Sequence, residues 1–181
     1  NAFLEETDIV VADVGDALFG STDLYVERSA FVSPAYYLSL GFGVPAAIGV
    51  QLARPTSRPI VVVGDGAFQM TGMELSTVVH FQKAHQLCPI VILLDNQGYG
   101  TERPMLDGPF NDINEWDYAA LPAVLRGGVG HRVFTEDELD RAFAAARAEL
   151  STFTIIDVHI ARHDVTPTLA RLTERIRARV S

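Results

Sequence analysis

The stretch "VVVGDGAFQMTGMELS" (61–76) decides the reading of this chain: an apolar run stops at Asp65, an acid held between Gly64 and Gly66, and no lysine follows. A run that is apolar at nearly every position suits a parallel strand covered on both faces, not a half-exposed one. Gly64 and Gly66 let the backbone turn sharply and approach a ligand closely, which leaves Asp65 free to face it. Thr71 and Glu74 fit a T-x-x-E capping box, so a helix is expected to begin near Gly72 and to aim its free N–H groups at the same edge, an anion site.

Further strands are read at 8–13, 89–96, 131–134 and 153–160, with the central one at 59–65; all are Val- and Ile-rich and bounded by Pro, Gly or Asp. Helices are read at 44–53, 72–84, 117–125, 136–149 and 167–179. In the fourth, Leu139, Phe143, Ala146 and Leu150 share one apolar face. The arginines of "ARLTERIRARV" (170–180) read as the solvated side of a terminal helix. The alternation implies a doubly wound α/β fold with a mainly parallel sheet and helices on both faces. The irregular stretch 97–116 is too long for a plain connector and is read as functional.

In such a sheet, ligands collect outside the carboxyl ends of the strands. Asp65 ends one strand, and Asn96 ends another about thirty residues later, the length of a crossover through one helix. A carboxylate beside a helix start repels phosphate unless a divalent cation stands between them. Mg²⁺ takes six hard oxygens, few of them from protein. Asp65, the Asn96 amide oxygen and a backbone carbonyl in "QGYG" would supply three, which makes a site for a diphosphate held through a metal.

"GDG" (64–66) followed after one helix by "DN" (95–96) resembles the thiamine diphosphate motif. "NQGYGTERPMLDGPFNDINEW" (96–116), "FLEETDIVVADVGDALFG" (3–20) and "YYLSLGFGVPAAIG" (36–49) are similar to the C-terminal, diphosphate-binding domain of the pyruvate and indolepyruvate decarboxylases. The resemblance covers essentially the whole chain. It implies Mg²⁺ held by Asp65 and Asn96 side chains and the Gly98 carbonyl. Gly64, Gly66, Ala67, Tyr99, Gly100 and Thr101 would surround the cofactor, with Gly66 and Ala67 offering N–H groups to the diphosphate. Leu40 would wedge the cofactor into its bent shape, beside Ser39, and the Leu38 carbonyl would accept a hydrogen bond from the aminopyrimidine. Glu102 would be the catalytic acid/base residue, with a pKa tuned by burial. The implied reaction is non-oxidative decarboxylation of a 2-oxo acid to an aldehyde; alternatives are an acetolactate synthase-like carboligase and a non-catalytic scaffold of the same fold. The family carries Asn where Asp95 stands, has a shorter interval in place of "HFQKAHQLCP" (80–89), and has threonines where "DVGD" places Val14 and Asp16. Asp16 is kept in the cofactor set.

The family's activating glutamate belongs to a separate pyrimidine-binding domain. The chain is therefore read as a single diphosphate-binding domain (1–181) of a larger multidomain or multisubunit enzyme, completed by that domain in the same or another chain of a homo- or hetero-oligomer. The opening at Asn1 without methionine agrees with a piece of something larger.

Asp plus Glu outnumber Lys plus Arg by 23 to 14, a net charge of -9, which repels nucleic acid. No apolar run approaches membrane-spanning length. The one cysteine, Cys88, is expected as a buried small hydrophobe in a reducing, cytoplasmic compartment. His159 and His163 stand four apart at a strand end, a spacing that does not align two side chains on a zinc ion.

Overall fold

Six strands pair in parallel in the order β2-β1-β3-β4-β6-β5 in the computed structural model. They are β1 (Asp8–Ala12), β2 (Phe31–Val32), β3 (Arg58–Gly64), β4 (Ile90–Asp95), β5 (Val129–Val133) and β6 (Thr154–His159). The helices are α1 (Asp16–Ser21), α2 (Gly43–Ala53), α3 (Asp65–Thr71), α4 (Leu75–His85), α5 (Leu121–Leu125), α6 (Glu136–Ala148) and α7 (Pro167–Val180). The structure describes residues 1–27 and 29–180, the side chains of 175–180 excepted, so the expected solvated face formed by Arg175, Arg177 and Arg179 lies outside the described residues.

Side-chain alternation along each strand sorts the core into two layers. Val61, Val63, Val91, Leu93 and Ile155 face Val44 and Ala47 of α2, Phe68 of α3, and Leu75 and Val78 of α4. Their neighbours Ile60, Ile90 and Ile156 face Ala142 and Ala146 of α6. Each Val, Ile or Phe buried in this way contributes about 1.5–3 kcal/mol, enough in sum to offset the buried acids described below. Leu139 and Phe143 join the second layer as expected, but Leu150 lies past the end of α6 and is exposed.

The chain runs from β1 outward to β2, then crosses back to place β3 on the other side of β1. That reversal opens a crevice at the carboxyl ends of β1 and β3.

Three elements went unread in the sequence: β2, α1 and α3. The last of these corrects the expected capping box. The helix starts at Asp65 directly from β3, a 3-10 turn (Gly72–Glu74) joins it to α4, and Thr71 makes no cap; its hydroxyl instead donates to the Gly41 carbonyl at 2.7 Å. The capping box of this chain is at the start of α6, where Thr135 Oγ1 accepts from the Glu138 N–H and Glu138 accepts from the Thr135 N–H. Gly64 has φ -77 and ψ 157, extended backbone open to any residue, so the turn into α3 needs no glycine conformation there. Cys88 is buried, as expected.

Candidate functional site

The tips of β1, β3 and β4 line one cavity of about 340 Å³. Of the residues singled out in the sequence, Asp16, Leu38, Leu40, Gly64, Asp65, Gly66, Ala67, Asn96, Gly98, Tyr99, Gly100, Thr101 and Glu102 all line it. Ser39 is exposed and does not. A second cavity, about 470 Å³ and largely apolar, adjoins the first through Asp16, Ala17, Leu94 and Ile160.

Asp65 is 1% exposed. Its Oδ1 accepts the Gly66 N–H at 2.7 Å and its Oδ2 accepts the Gly98 N–H at 2.9 Å. Burial pushes its carboxyl up to about 7; the two N–H donors oppose this, and nearby Asp95 reinforces it. The Gly66 N–H, expected to serve a diphosphate, is thus spent on orienting Asp65.

The turn after β4 is shaped around this contact. Gly98 has φ 145, and a Cβ there would stand 2.1 Å from the Asn111 carbonyl oxygen, so no other residue fits. Its own carbonyl accepts the Gly100 N–H at 2.9 Å. The Tyr99 ring lies across Gly66, where a Cβ would come within 2.7 Å of it. A Cβ at Gly64 would meet no atom within 4 Å, so the β3 tip faces open space.

Arg103 organises the long 97–116 segment. Its guanidinium donates to Asp107 Oδ1 and Asp112 Oδ1, each at 2.9 Å, and to the carbonyls of Gln97 and Asn111. With Arg103 committed inward, it forms no ion pair with Glu102, which is exposed and reaches the cavity edge. The burial expected to tune Glu102 is not supplied by this chain.

Across the cavity, the Leu38–Leu40 turn is held by Asp13, a residue the sequence reading passed over. Asp13 is fully buried, and its two carboxylate oxygens accept the N–H groups of Gly41 at 3.2 Å and Gly43 at 2.7 Å. Leu38 sits at φ 54, a left-handed conformation rare for a bulky residue and characteristic of functional turns. Asp16 accepts the Thr166 N–H at 2.9 Å and its hydroxyl at 2.5 Å, which ties α1 to the start of α7.

Behind Asp65, on the same sheet face as Leu93 and Ile155, stand Asp95, Asp157 and His159. Asp95 is in register with His159 across β4 and β6. The Asp157 carboxyl is pushed up to about 6 by burial, His159 partly opposing. The D-x-H spacing of Asp157 and His159 on one strand face was the only signal in the sequence; the pairing of His159 with Asp95 comes from the sheet register.

Residues 8–158 match the family model described as "Thiamine pyrophosphate enzyme, C-terminal TPP binding domain". An indole-3-pyruvate decarboxylase of Azospirillum brasilense is 39% identical over 171 residues, which cover 94% of this chain and 30% of that protein. A probable pyruvate decarboxylase of Schizosaccharomyces pombe is 33% identical, with 92% and 29% covered. Among solved structures, the thiamine diphosphate-dependent 4-hydroxybenzoylformate decarboxylase of Rhodococcus jostii aligns with a TM-score of 0.76 at 26% identity, over 91% of this chain and 31% of that one. The chain thus spans about 30% of the length of the curated relatives it matches.

Proposed function

This chain belongs to the C-terminal TPP-binding domains of the thiamine pyrophosphate enzymes, and from that premise we propose that it supplies the diphosphate and Mg²⁺ half of the site of a non-oxidative 2-oxo acid decarboxylase. The carrying observation is Asp65: a carboxylate 1% exposed, at a strand tip, whose oxygens have two backbone N–H groups as partners and which shares a cavity with Asn96 and Gly98. A buried acid of this kind calls for a cation. Two side-chain oxygens and one carbonyl form the hard donor set that suits Mg²⁺, and the open space at Gly64 leaves room for a diphosphate.

When bound, thiamine diphosphate supplies a thiazolium ring that takes up the electron pair left as CO₂ departs. The residues of the chain bind, orient and move protons. Asp65, Asn96 and the Gly98 carbonyl hold the metal, and the Ala67 N–H at the start of α3 faces the diphosphate. Leu40 backs the cofactor, with the Leu38 carbonyl as acceptor for its amino group. Glu102, free of Arg103, holds and returns the proton at the carbon that becomes the aldehyde.

The chain acts as one diphosphate-binding domain within a larger multidomain or multisubunit enzyme, completed by a pyrimidine-binding domain. Tyr36, Tyr37, Leu106 and Phe110, on the two loops that contribute Leu38, Leu40 and Met105 to the cavity wall, are more than half exposed and form an apolar rim suited to such a partner. Covering that rim would also bury Glu102. Among the described residues no helix is long and apolar enough to cross a membrane.

Calorimetric titration of the full-length protein with thiamine diphosphate and Mg²⁺, followed by an aldehyde-release assay on 2-oxo acids, tests the proposal. Binding that disappears in Asp65→Ala, with aldehyde formed by the wild type, is expected. Equal binding heat in the two proteins would refute the metal assignment, and binding without aldehyde would refute the decarboxylase assignment.

A further inference from the structure

Buried acids at the two ends of the sheet receive opposite treatment. At the amino-terminal edge of the sheet, the Asp8 carboxylate is paired with the Arg147 guanidinium. At the opposite edge, Asp95 and Asp157 are 2% and 1% exposed, and among the described residues their side chains have no arginine or lysine pair. Arg132, the register partner of Asp157 on β5, is committed to Asp117. Asp95 Oδ2, both carboxylate oxygens of Asp157 and His159 Nε2 are buried with no hydrogen-bond partner. Leaving a buried polar group unmet is costly, and more so when it is charged, so four together at one point call for an occupant.

The geometry states what kind. His159 Nδ1 stands 3.4 Å from Asp95 Oδ2, and His159 Nε2 stands 3.4 Å from Asp157 Oδ2. One ligand atom can be chosen from each residue so that all three lie within 4.8 Å of one another. Only one ring nitrogen of His159 can ligate a given ion, and ligand atoms around a tetrahedral zinc ion with bonds of roughly 2.0–2.1 Å stand about 3.3–3.4 Å apart, so the three must draw together from within 4.8 Å to close on one ion. The strands fix this arrangement. Asp95 and His159 are register partners, and Asp157 lies two residues from His159 on the same face, so parallel pairing brings the three together without any loop. Phe134 stacks on the imidazole at 4.5 Å, which further limits its freedom.

We propose that Asp95, Asp157 and His159 form a second divalent-cation site, separate from Asp65, Asn96 and Gly98, that takes zinc or a similar borderline ion. An imidazole with two carboxylates favours Zn²⁺ or Co²⁺ over Mg²⁺, which prefers oxygen alone. The three protein ligands leave a fourth position for water. The site neutralises a run of acids that would otherwise crowd the sheet edge behind Asp65. It does not rest on the cofactor reading, because none of its ligands belongs to that set.

The test uses the full-length protein stripped with a chelator, then titrated with zinc chloride in excess Mg²⁺ and followed by calorimetry and metal analysis. Wild type and Asp65→Asn are each expected to take up one equivalent of zinc. Asp157→Asn and His159→Gln are expected to bind it about tenfold or more weakly and to lose the zinc-dependent rise in melting temperature. Asp157→Asn is nearly isosteric and removes a buried charge, so it keeps the fold; His159→Gln is an independent second variant. Zinc uptake as tight in both variants as in wild type overturns the proposal, as does wild type that takes up none, or uptake that vanishes in Asp65→Asn.

Discussion

Raising the pH on metal-free protein should destabilise it, and Asp65 sets the size of the effect. Its carboxyl titrates at about 7 in the fold against an ordinary value of 3.8. Between those values the folded chain holds a proton that the unfolded chain has released. The stabilisation is therefore complete below 3.8 and is lost as pH rises through about 7. From about pH 5 to about pH 8 the folded chain alone carries this proton over roughly two pH units, on the order of 3 kcal/mol. Asp157, at about 6, has the same sign and adds on the order of 1 kcal/mol. Glu138 and Glu149 have lowered values, so what they contribute is complete above the ordinary glutamate range and does not vary across this window. A loss of about 2–4 kcal/mol in a domain of this size lowers the melting temperature by about 5–15 °C. Circular dichroism melts in chelator measure it. Asp65→Asn should remove the larger part of the slope, and saturating Mg²⁺ with thiamine diphosphate should flatten it. A wild-type melting temperature that stays level or climbs over this range, or an unchanged slope in Asp65→Asn, would show that Asp65 is not the strained acid described here.

Glu102→Gln in the assembled enzyme should lower kcat about 10²–10⁴-fold while leaving thiamine diphosphate affinity in the wild-type range; steady-state kinetics with a cofactor titration would separate the two, and undiminished turnover would remove Glu102 from the chemistry. Gly66→Ala forces the added methyl against the Tyr99 ring, so a stability loss of about 1–3 kcal/mol is expected together with weaker cofactor binding. A melt and a titration that both match wild type would contradict that packing. Gly98→Ala meets a backbone oxygen that cannot step aside and should cost more than about 3 kcal/mol by denaturant unfolding; a near-neutral result would mean that the turn has another shape.

What could be read in the sequence was whatever repeats or ends sharply. The five expected strands lie within two residues of the observed β1, β3, β4, β5 and β6, because continuous Val and Ile runs bounded by Pro, Gly and Asp leave little choice. β2 has two residues, too few for any periodicity to show. The seven-residue α3 was hidden because Gly64–Gly66 signalled a turn, yet the chain enters it directly from the tip of β3; the six-residue α1, which follows a turn at Gly15, is too short for helical periodicity to show. Asp65 and Asn96 were found through local motifs and most of the other named lining residues through the family resemblance, whereas Ala17, Phe19, Leu94, Ile160 and Leu172 of the same wall carry no such signal. Asp13 was missed because its work is done on N–H groups about thirty residues away, a contact no local pattern encodes. The cluster was missed because register, not spacing, brings Asp95 to Asp157 and His159.

The grip of Arg103 has a bearing on cleavage of the chain. Its contacts reach back to Gln97 and forward to Asp107 and Asp112, while Met105 and Leu106 between them are exposed. A protease that cut at that exposed bend would leave one fragment carrying the guanidinium and the other carrying both carboxylates that clasp it. The nicked molecule would travel as one body through a sizing column and come apart only in detergent.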